Sequence, residues 1–242
     1  MMNFLVVNDD GIHAPGLALL AQKAAELGDV WVVAPARQCS ATSHKVTIFG
    51  SLRVEEAADF PVPVKGAYTV DGTPADCVKV AIQYIMPEKP DWVFSGINDG
   101  CNVGYEIAYS ATLAAAFEAR MYGVPAIAFS SAYKVPMTLA QQHLTAIAKE
   151  LMEKPAARGE VWNVNFPDGE KQTCPGILYD RTVAPTWLYS SSYREKARET
   201  GSVVLKIGGE PLTAEDPIGE GTDMEAVLKG YISIGKVKSV VF

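Results

Sequence analysis

The sequence predicts an α/β fold, a Rossmann-like three-layer α/β/α arrangement around a mainly parallel sheet. Short apolar runs alternate along the chain with segments whose apolar residues recur every three or four positions, as in amphipathic helices. The chain has 242 residues, of which 48% are hydrophobic and 20% are charged. This composition is typical of a globular protein with one large core.

The first 35 residues predict a β-α-β unit. Residues 4–7 form a continuous apolar run, which is typical of a strand that helices cover on both faces. A helix follows from about Gly16 and ends near Gly28, and residues 30–34 form a second apolar strand. A helical crossover favours parallel strands joined in the right-handed sense, so the unit predicts a parallel sheet.

The alternation pauses at residues 44–70 and then resumes. We expect this stretch to be an excursion from the sheet, with short strands at residues 46–48 and 52–54. Thr73 and Pro74 then form a typical helix start. The remaining predicted elements are a strand at 91–94, a helix from Ser110, a strand at 124–129, a helix at 138–153 and a strand at 161–165. Together they predict a doubly wound layout.

Beyond Pro167 the regular alternation fades. Strands are predicted at residues 177–179, 202–207 and 231–241, with a polar segment at 208–221. We therefore divide the chain into a catalytic core, residues 1–167, and a C-terminal extension or oligomerisation arm, residues 168–242, that completes the domain. An arm of this kind either packs across a neighbouring subunit or folds over the site, and the sequence leaves both open.

Charge and cysteine content restrict the partners and the compartment. The net charge is -7 and no run of Lys or Arg is long, which argues against long nucleic acid as a partner. A single phosphate is still compatible when a bound cation supplies positive charge. The four cysteines have no CxxC spacing and indicate reduced thiols in the cytoplasm. Residues 4–7 are followed at once by Asn8, Asp9 and Asp10, so we expect neither a signal peptide nor a membrane span.

Polar side chains follow three of the predicted strands. Asp9 and Asp10 follow the first strand, Ser40 the second and Asn98 the third. Ligands in open α/β sheets bind outside the carboxyl ends of the strands, so these side chains are expected to meet. Their oxygen donors favour Mg²⁺ or Mn²⁺, which could hold a phosphate oxygen and orient water. The alternative is that they are ordinary turn and cap residues.

Three further residues are candidates for phosphate binding and proton transfer. Ser110 and Thr112 lie at a predicted helix start, which attracts phosphate, although simple N-capping is equally expected there. His44 could protonate the leaving alkoxide, or it could simply face solvent. The chain lacks GxGxxG after its first strand and lacks GxxxxGK[ST], which disfavours dinucleotide binding and P-loop chemistry.

Seven segments of the chain are specific in combination. They are FLVVNDDGIHAPG, VVAPARQCSATSHKVT, GTPADCVKVA, SGINDGCNVG, YSATLAAAFEA, NVNFP and GTDMEAVLKGYISI. In this order and spacing they resemble the SurE family, the stationary-phase survival nucleotidases, over most of the chain.

The resemblance implies a function and a site. Asp9, Asp10, Ser40 and Asn98 would bind one divalent cation per subunit, Mg²⁺ or Mn²⁺. The implied activity is hydrolysis of nucleoside 5′- and 3′-monophosphates to nucleoside and phosphate, with short-chain polyphosphate as a further substrate of some members. The family also implies a Rossmann-like core whose C-terminal extension is exchanged between subunits of a homodimer or homotetramer.

The chain departs from the commoner family pattern at three positions. Ala36 stands where an acidic residue is frequent, Ser43 where glycine is common, and Ala111 replaces the glycine usual between Ser110 and Thr112. No metal ligand is lost. The methyl group of Ala111 lies beside the expected phosphate site, so it bears on substrate preference and rate more than on reaction type.

The resulting hypothesis assigns catalysis to Asp9, Asp10 and His44. Water attacks in line, Asp10 orients that water, and His44 assists departure of the nucleoside. Asn98, Ser110 and Thr112 hold the phosphate. One rival is a phosphatase that forms an aspartyl-phosphate on Asp9, although the second acid of a DxD motif is missing. Another is a non-catalytic nucleotide or metabolite sensor using the same cleft.

Overall fold

A computed structural model describes residues 1–169, 174–189 and 191–239. In chain order its strands are β1 Asn3–Val7, β2 Asp29–Pro35, β3 Val54–Glu56, β4 Gly66–Val70, β5 Trp92–Asp99, β6 Ala126–Ser131, β7 Glu160–Phe166, β8 Ile177–Arg181, β9 Ser192–Glu199, β10 Ser202–Gly208 and β11 Ile232–Lys238. The α-helices are α1 Pro15–Ala25, α2 Pro74–Val80, α3 Ala111–Met121, α4 Thr138–Glu153 and α5 Asp223–Leu228. A π-helical turn, Ala81–Ile85, continues α2, and a 3₁₀ helix, Gly104–Tyr109, precedes α3.

Nine strands form one sheet in the order β3-β4-β2-β1-β5-β6-β7-β11-β8. The pairings from β4 to β7 are all parallel, whereas β3 pairs with β4, and β11 with β7, in antiparallel fashion. From β1 the chain first builds β2 and β4 on one side and then returns to add β5 on the other. The strand order therefore reverses between β1 and β5, which confirms the predicted α/β class and marks the expected ligand position.

Helices cover both faces of this sheet. Phe4 and Val6 of β1 point to a core formed with α1 and α4, whereas Leu5 and Val7 pack against α2 and α3. These four side chains are completely buried, and only Asn3 at the start of β1 is partly exposed. This two-sided burial explains why the strand is a continuous apolar run rather than an alternating one.

The secondary structure of residues 44–70 differs from the prediction. No strand forms at residues 46–48; the backbone N–H of Thr47 donates instead to the carboxylate of Asp76 at 2.9 Å. The strand predicted at 52–54 is shifted to β3. The segment is also less of an excursion than expected, because β4 joins the main sheet beside β2. Asp76 forms a capping box with Thr73 at the start of α2, so this carboxylate serves both the loop and the helix.

The C-terminal segment is more structured than its sequence suggests. β8 and β11 extend the main sheet beyond β7, so this part of the chain does complete the sheet. The sequence missed α5 and β9, and β9 pairs with β10 as a separate two-stranded hairpin. Of the strand predicted at 231–241, residues 232–238 form β11, and residues 240–241 lie outside the described part of the chain.

The structure also bears on the thiols and on membrane association. All four cysteines lie in the described ranges and are unpaired. Among the helices described, none combines the length and hydrophobicity that a bilayer crossing requires.

Candidate active site

The predicted acidic residues lie at the reversal point of the sheet. Asp9 and Asp10 directly follow β1, and Asn98 belongs to its neighbour β5. The sequence placed Asn98 in a loop, but β5 continues to Asp99, with an irregular register against β6 between Ser95 and Asn98. Strand pairing therefore fixes the backbone of Asn98 more tightly than a loop would.

Asp9 is a buried carboxylate with only 3% of its surface exposed. Its Oδ1 accepts a 2.7 Å hydrogen bond from the hydroxyl of Thr112, which is itself completely buried. Burial raises the pKa of Asp9 to about 6, against the smaller lowering effect of the Thr112 bond. Asp10 next to it raises the pKa further by charge repulsion. A bound cation would relieve both unfavourable effects.

A glutamine that the sequence analysis did not single out joins Asp10 to Ser40. The amide nitrogen of Gln38 donates to Asp10 Oδ1 at 3.2 Å and to Ser40 Oγ at 3.1 Å. The backbone N–H of Cys39 donates to the Asp9 carbonyl at 2.7 Å, which ties the loop after β2 to the end of β1. Ser40 is thus brought to the acidic pair as predicted, although its side chain is exposed.

Asp99 connects β5 to the same pair. Its backbone N–H donates to Asp10 Oδ2 at 3.2 Å, so Asn98, the preceding residue, also lies at the acidic edge. The amide nitrogen of Asn98 donates to the carbonyl of Gly100 at 2.7 Å. With the nitrogen engaged in that bond, the side-chain oxygen of Asn98 is the atom suited to a cation.

A glycine allows α1 to pack directly on this part of β5. A Cβ atom at Gly16 would lie 2.2 Å from the carbonyl oxygen of Ile97, far inside van der Waals contact. The helix that follows the acidic loop can therefore approach the strand that carries Asn98 only because position 16 lacks a side chain.

The start of α3 carries the two predicted phosphate-binding hydroxyls. Ser110 is the N-cap: its Oγ accepts from the N–H of Leu113 at 3.1 Å, as the capping alternative requires. The proton of that hydroxyl is still available to a phosphate oxygen. The Thr112 hydroxyl donates to Asp9, so the structure brings Thr112 to the carboxylate. The first N–H groups of a helix have no carbonyl partner within it, and those of α3 are suited to bind an anion.

His44 pairs with a glutamate of α3, and it lines one pocket together with Ser110. Its Nε2 lies 2.8 Å from Glu118 Oε2, and Lys79 approaches the other oxygen of this carboxylate at 3.8 Å. Glu118 lies on α3 six residues after Thr112, a rise of roughly 9 Å along the helix. The pair anchors the loop after β2 to α3. Neither Glu118 nor Gln38 carried a spacing signal, because both act through contacts between distant segments.

The donor set fits a hard cation. The residues described include no group of three or more His, Cys, Asp or Glu side chains placed to hold a metal ion. A cation here would therefore depend on the two aspartates together with the hydroxyl and amide oxygens of Ser40 and Asn98. An all-oxygen set of this kind suits Mg²⁺ or Mn²⁺.

Comparison with known proteins identifies relatives along most of the chain. The family model described as survival protein SurE matches residues 4–188. A protein of Geobacter sulfurreducens named 5′-nucleotidase SurE is 39% identical over 240 residues, covering 96% of this chain and 86% of the relative. One of Aeromonas hydrophila with the same name is 36% identical over 233 residues, covering 96% of this chain and 90% of the relative.

A solved structure shows the same fold. The crystal structure of the SurE protein from Aquifex aeolicus superimposes with a TM-score of 0.83 at 34% identity, and the match covers 98% of this chain and 93% of that one. Sequence and fold agree, and the chain belongs to the SurE family.

Proposed function

We propose that this protein is a divalent-metal-dependent phosphomonoesterase that hydrolyses nucleoside 5′- and 3′-monophosphates to nucleoside and phosphate. The observation that carries the proposal is the buried carboxylate of Asp9 beside Asp10, at the sheet reversal and next to the start of α3. The relatives named 5′-nucleotidase SurE support the same reaction class.

Asp9, Asp10, Ser40 and Asn98 would hold one Mg²⁺ or Mn²⁺ per subunit. Such an ion supplies positive charge to the phosphoryl oxygens and favours ionisation of water. Thr112 holds one oxygen of Asp9, and Gln38 holds Asp10 and Ser40 together. These neighbours fix the direction of the ligands, as outer hydrogen bonds do in most metal sites.

The start of α3 would bind the phosphoryl group. The free N–H groups of the first helical turn and the proton of the Ser110 hydroxyl can donate to phosphate oxygens. For Thr112 the backbone N–H is the better donor, because its hydroxyl is already bonded to Asp9. The side-chain oxygen of Asn98 would serve the cation, and through it the phosphate.

Asp10 is the proposed group that orients the attacking water. It is only partly buried, whereas the Asp9 carboxylate is enclosed. The Nε2 atom of His44 is engaged by Glu118, so Nδ1 is the ring nitrogen left to protonate the leaving oxygen. His44 acts either as that acid or only as an anchor of its loop. A His44→Gln variant separates the two possibilities, because loss of an acid lowers kcat most for the poorest leaving groups.

Short-chain polyphosphate is a second substrate, since the site recognises a terminal phosphoryl group. The protein works in the cytoplasm. It forms a homodimer or homotetramer in which the C-terminal extension is exchanged between subunits, because the β9–β10 hairpin is exposed along its whole length.

The decisive experiment is phosphate release from a panel of nucleoside 5′- and 3′-monophosphates with Mg²⁺, with Mn²⁺ and with EDTA. We expect turnover that requires a cation and is lost in folded Asp9→Asn. Near-normal release by that variant would refute the metal site. Nucleotide binding without release would favour the sensor, and a phosphate analogue trapped on Asp9 would favour an aspartyl-phosphate.

A further inference from the structure

A cavity of about 390 Å³ lies beside Asp99, where the acidic edge meets the starts of α1 and α4. Asp10 and Gln38 form part of its wall. Lys134, from the loop between β6 and α4, is the one basic residue among the described residues that line this cavity. The cavity therefore combines carboxylates, which favour a cation, with an ammonium group, which favours an anion.

The backbone of Lys134 is held in an unusual conformation beside the acidic pair. Its φ is 54°, in the left-handed region that residues with a side chain rarely adopt. Its N–H donates to the Asp99 carboxylate at 2.7 Å, and the N–H of Asp99 donates to Asp10 Oδ2 at 3.2 Å. Two hydrogen bonds thus link the lysine to a predicted cation ligand. Backbone strain of this kind concentrates at functional sites, where the surrounding structure maintains it.

The side chain of Lys134 packs on an exposed aromatic ring. Its ammonium nitrogen lies 4.8 Å from the ring centre of Tyr133, and 55% of the Tyr133 surface is exposed. A cation–π contact at an exposed site is weak, whereas a hydrogen bond from an ammonium group to a phosphate oxygen is strong. Since the lysine side chain is long, flexible and exposed, it can turn from the ring to a phosphate without disturbing the core.

Lys134 and the proposed phosphate donors lie on opposite faces of the sheet. α3, whose start would bind the reacting phosphoryl group, packs through Leu113 and Ala116 in the core that it shares with α2. Lys134 precedes α4, whose Leu139 and Ala140 belong to the core on the other face. A chain of phosphates that begins at α3 can therefore cross the sheet edge and meet Lys134.

We propose that Lys134 is a specificity-determining residue that binds the second phosphoryl group of an inorganic phosphate chain. The inference rests on the proposed function and deepens it, because it names the residue that favours polyphosphate over a nucleoside monophosphate. The cation and the α3 N–H groups balance the charge of one phosphoryl group. Each further phosphoryl group adds negative charge beside Asp99, and the ammonium group of Lys134 offsets that repulsion.

The same contact serves the leaving group. Water attacks the terminal phosphorus and forms the new P–O bond, while the anhydride P–O bond breaks and its electrons leave with the shortened chain. The proton lost by the water passes to solvent. Negative charge therefore develops on the oxygen that joins the first two phosphorus atoms, next to the phosphoryl group that Lys134 holds.

Lys45 is the rival position for such a contact. Two other basic residues near the site, Arg37 and Lys79, already pair with carboxylates on neighbouring elements. Lys45 is exposed in the loop after β2, on the side of α2 and α3. We favour Lys134 because it lines the same cavity as Asp10.

The test compares tripolyphosphate with AMP as substrates at a constant concentration of free Mn²⁺. Lys134→Met removes the charge and keeps a long side chain, and Lys134→Arg keeps the charge. We expect the ratio of kcat/KM for tripolyphosphate to kcat/KM for AMP to fall about tenfold in Lys134→Met and to recover in Lys134→Arg. Lys89→Met, the same change at an exposed residue before β5, is the matched control and should leave the ratio unchanged.

A second measurement does not depend on turnover. Imidodiphosphate, a phosphate chain that resists hydrolysis, is titrated calorimetrically into the Mn²⁺-loaded wild type and into the methionine variants of Lys134, Lys45 and Lys89. Binding that weakens about tenfold in Lys134→Met alone supports the proposal.

Several outcomes would overturn the proposal. They are an unchanged substrate ratio and imidodiphosphate affinity in Lys134→Met, an equal loss on AMP and tripolyphosphate, a loss confined to Lys45→Met, and a wild type that does not bind imidodiphosphate. Absence of AMP hydrolysis by the wild type would instead count against the proposed function, and the titration would still report on Lys134.

Discussion

At the scale of single residues, Asp9 is held in a state that costs stability. Its carboxylate is buried at a sheet edge with a second acid beside it, and one neutral hydroxyl bonds to it. Functional sites commonly contain such perturbed acids, because the environment that shifts a pKa also favours a ligand. The resulting loss of free energy of unfolding should be measurable once the cation is removed.

Asp9→Asn should stabilise the metal-free protein at neutral and higher pH. The pKa of Asp9 is raised from its ordinary value of 3.8 to about 6, so the wild type loses stability as the pH rises through that window. In EDTA at pH 8 we expect the variant to have a free energy of unfolding higher by about 3 kcal/mol, and the difference to vanish near pH 4. Urea unfolding between pH 4 and 8 measures it.

Asp10→Asn is the control for this experiment. Asp10 is only partly buried, so its replacement should change the free energy of unfolding far less over the same pH range. A metal-free Asp9→Asn protein that is less stable than the wild type at pH 8 would show that burial of Asp9 is not the dominant effect.

Thr112→Val should weaken cation binding. The replacement keeps the shape of a completely buried side chain and removes the donor to Asp9 Oδ1. Loss of such an outer hydrogen bond typically lowers metal affinity about 10–100-fold. Calorimetric titration with Mn²⁺ measures the change, and Thr112→Ser should restore most of the affinity. Normal Mn²⁺ affinity with a raised KM would instead assign the hydroxyl to the phosphate.

At the scale of elements, α3 organises the site more than any other helix. Its N-cap faces the proposed phosphate position, its second residue holds Asp9, and Glu118 farther along anchors His44. Its alanine-rich face packs closely against the sheet, where Ala115, Ala116 and Ala119 are completely buried. Close packing of this helix on β5 and β6 therefore determines where the predicted phosphate donors lie.

Ser110→Ala should affect both the helix and the substrate. Removal of an N-cap hydroxyl typically costs about 1 kcal/mol of stability. Because the Ser110 proton is also the proposed donor to phosphate, we expect KM for AMP to rise as well. Thr222→Ala removes the equivalent cap of α5 and should cost similar stability with an unchanged KM. Equal KM values in the two variants would restrict Ser110 to capping.

At the scale of the whole molecule, the β9–β10 hairpin stands apart from the sheet. All its residues are exposed, including Leu205 at 52% and Ile207 at 70%. A lone two-stranded hairpin is marginally stable in water, and exposed apolar residues of this kind often mark an interface. This observation supports the proposed exchange of the C-terminal extension.

Replacing Leu205 and Ile207 together by Glu should therefore dissociate the protein. Light scattering across a range of concentrations should give a dimer or tetramer for the wild type and a monomer for the double variant. Tyr84→Ser, a change at an 82% exposed residue elsewhere, should leave the assembly intact. A wild type that is monomeric at all concentrations would contradict the exchange.

The sequence by itself determined the class of fold and most of the parallel core. The strands near residues 4–7, 30–34 and 161–165 and the helix at 138–153 were all predicted close to their observed bounds. These elements are buried in a regular way, so their apolar periodicity is local information. Strand ends follow directly from that periodicity, so the polar residues near those ends could be predicted as metal ligands. They are Asp9, Asp10, Ser40 and Asn98.

Other features depend on contacts between residues far apart in the chain, and only the tertiary structure determined them. Residues 46–48 have β-branched side chains, yet they form no strand because Thr47 bonds to Asp76. Conversely, β9 is rich in charge and exposed on both faces, so it has no apolar alternation, and its strand form comes from pairing with β10. Several features of the site likewise arise from contacts between segments far apart in the chain, which no local pattern encodes. They are the roles of Gln38 and Thr112, the pairing of His44 with Glu118 and the cavity beside Asp99.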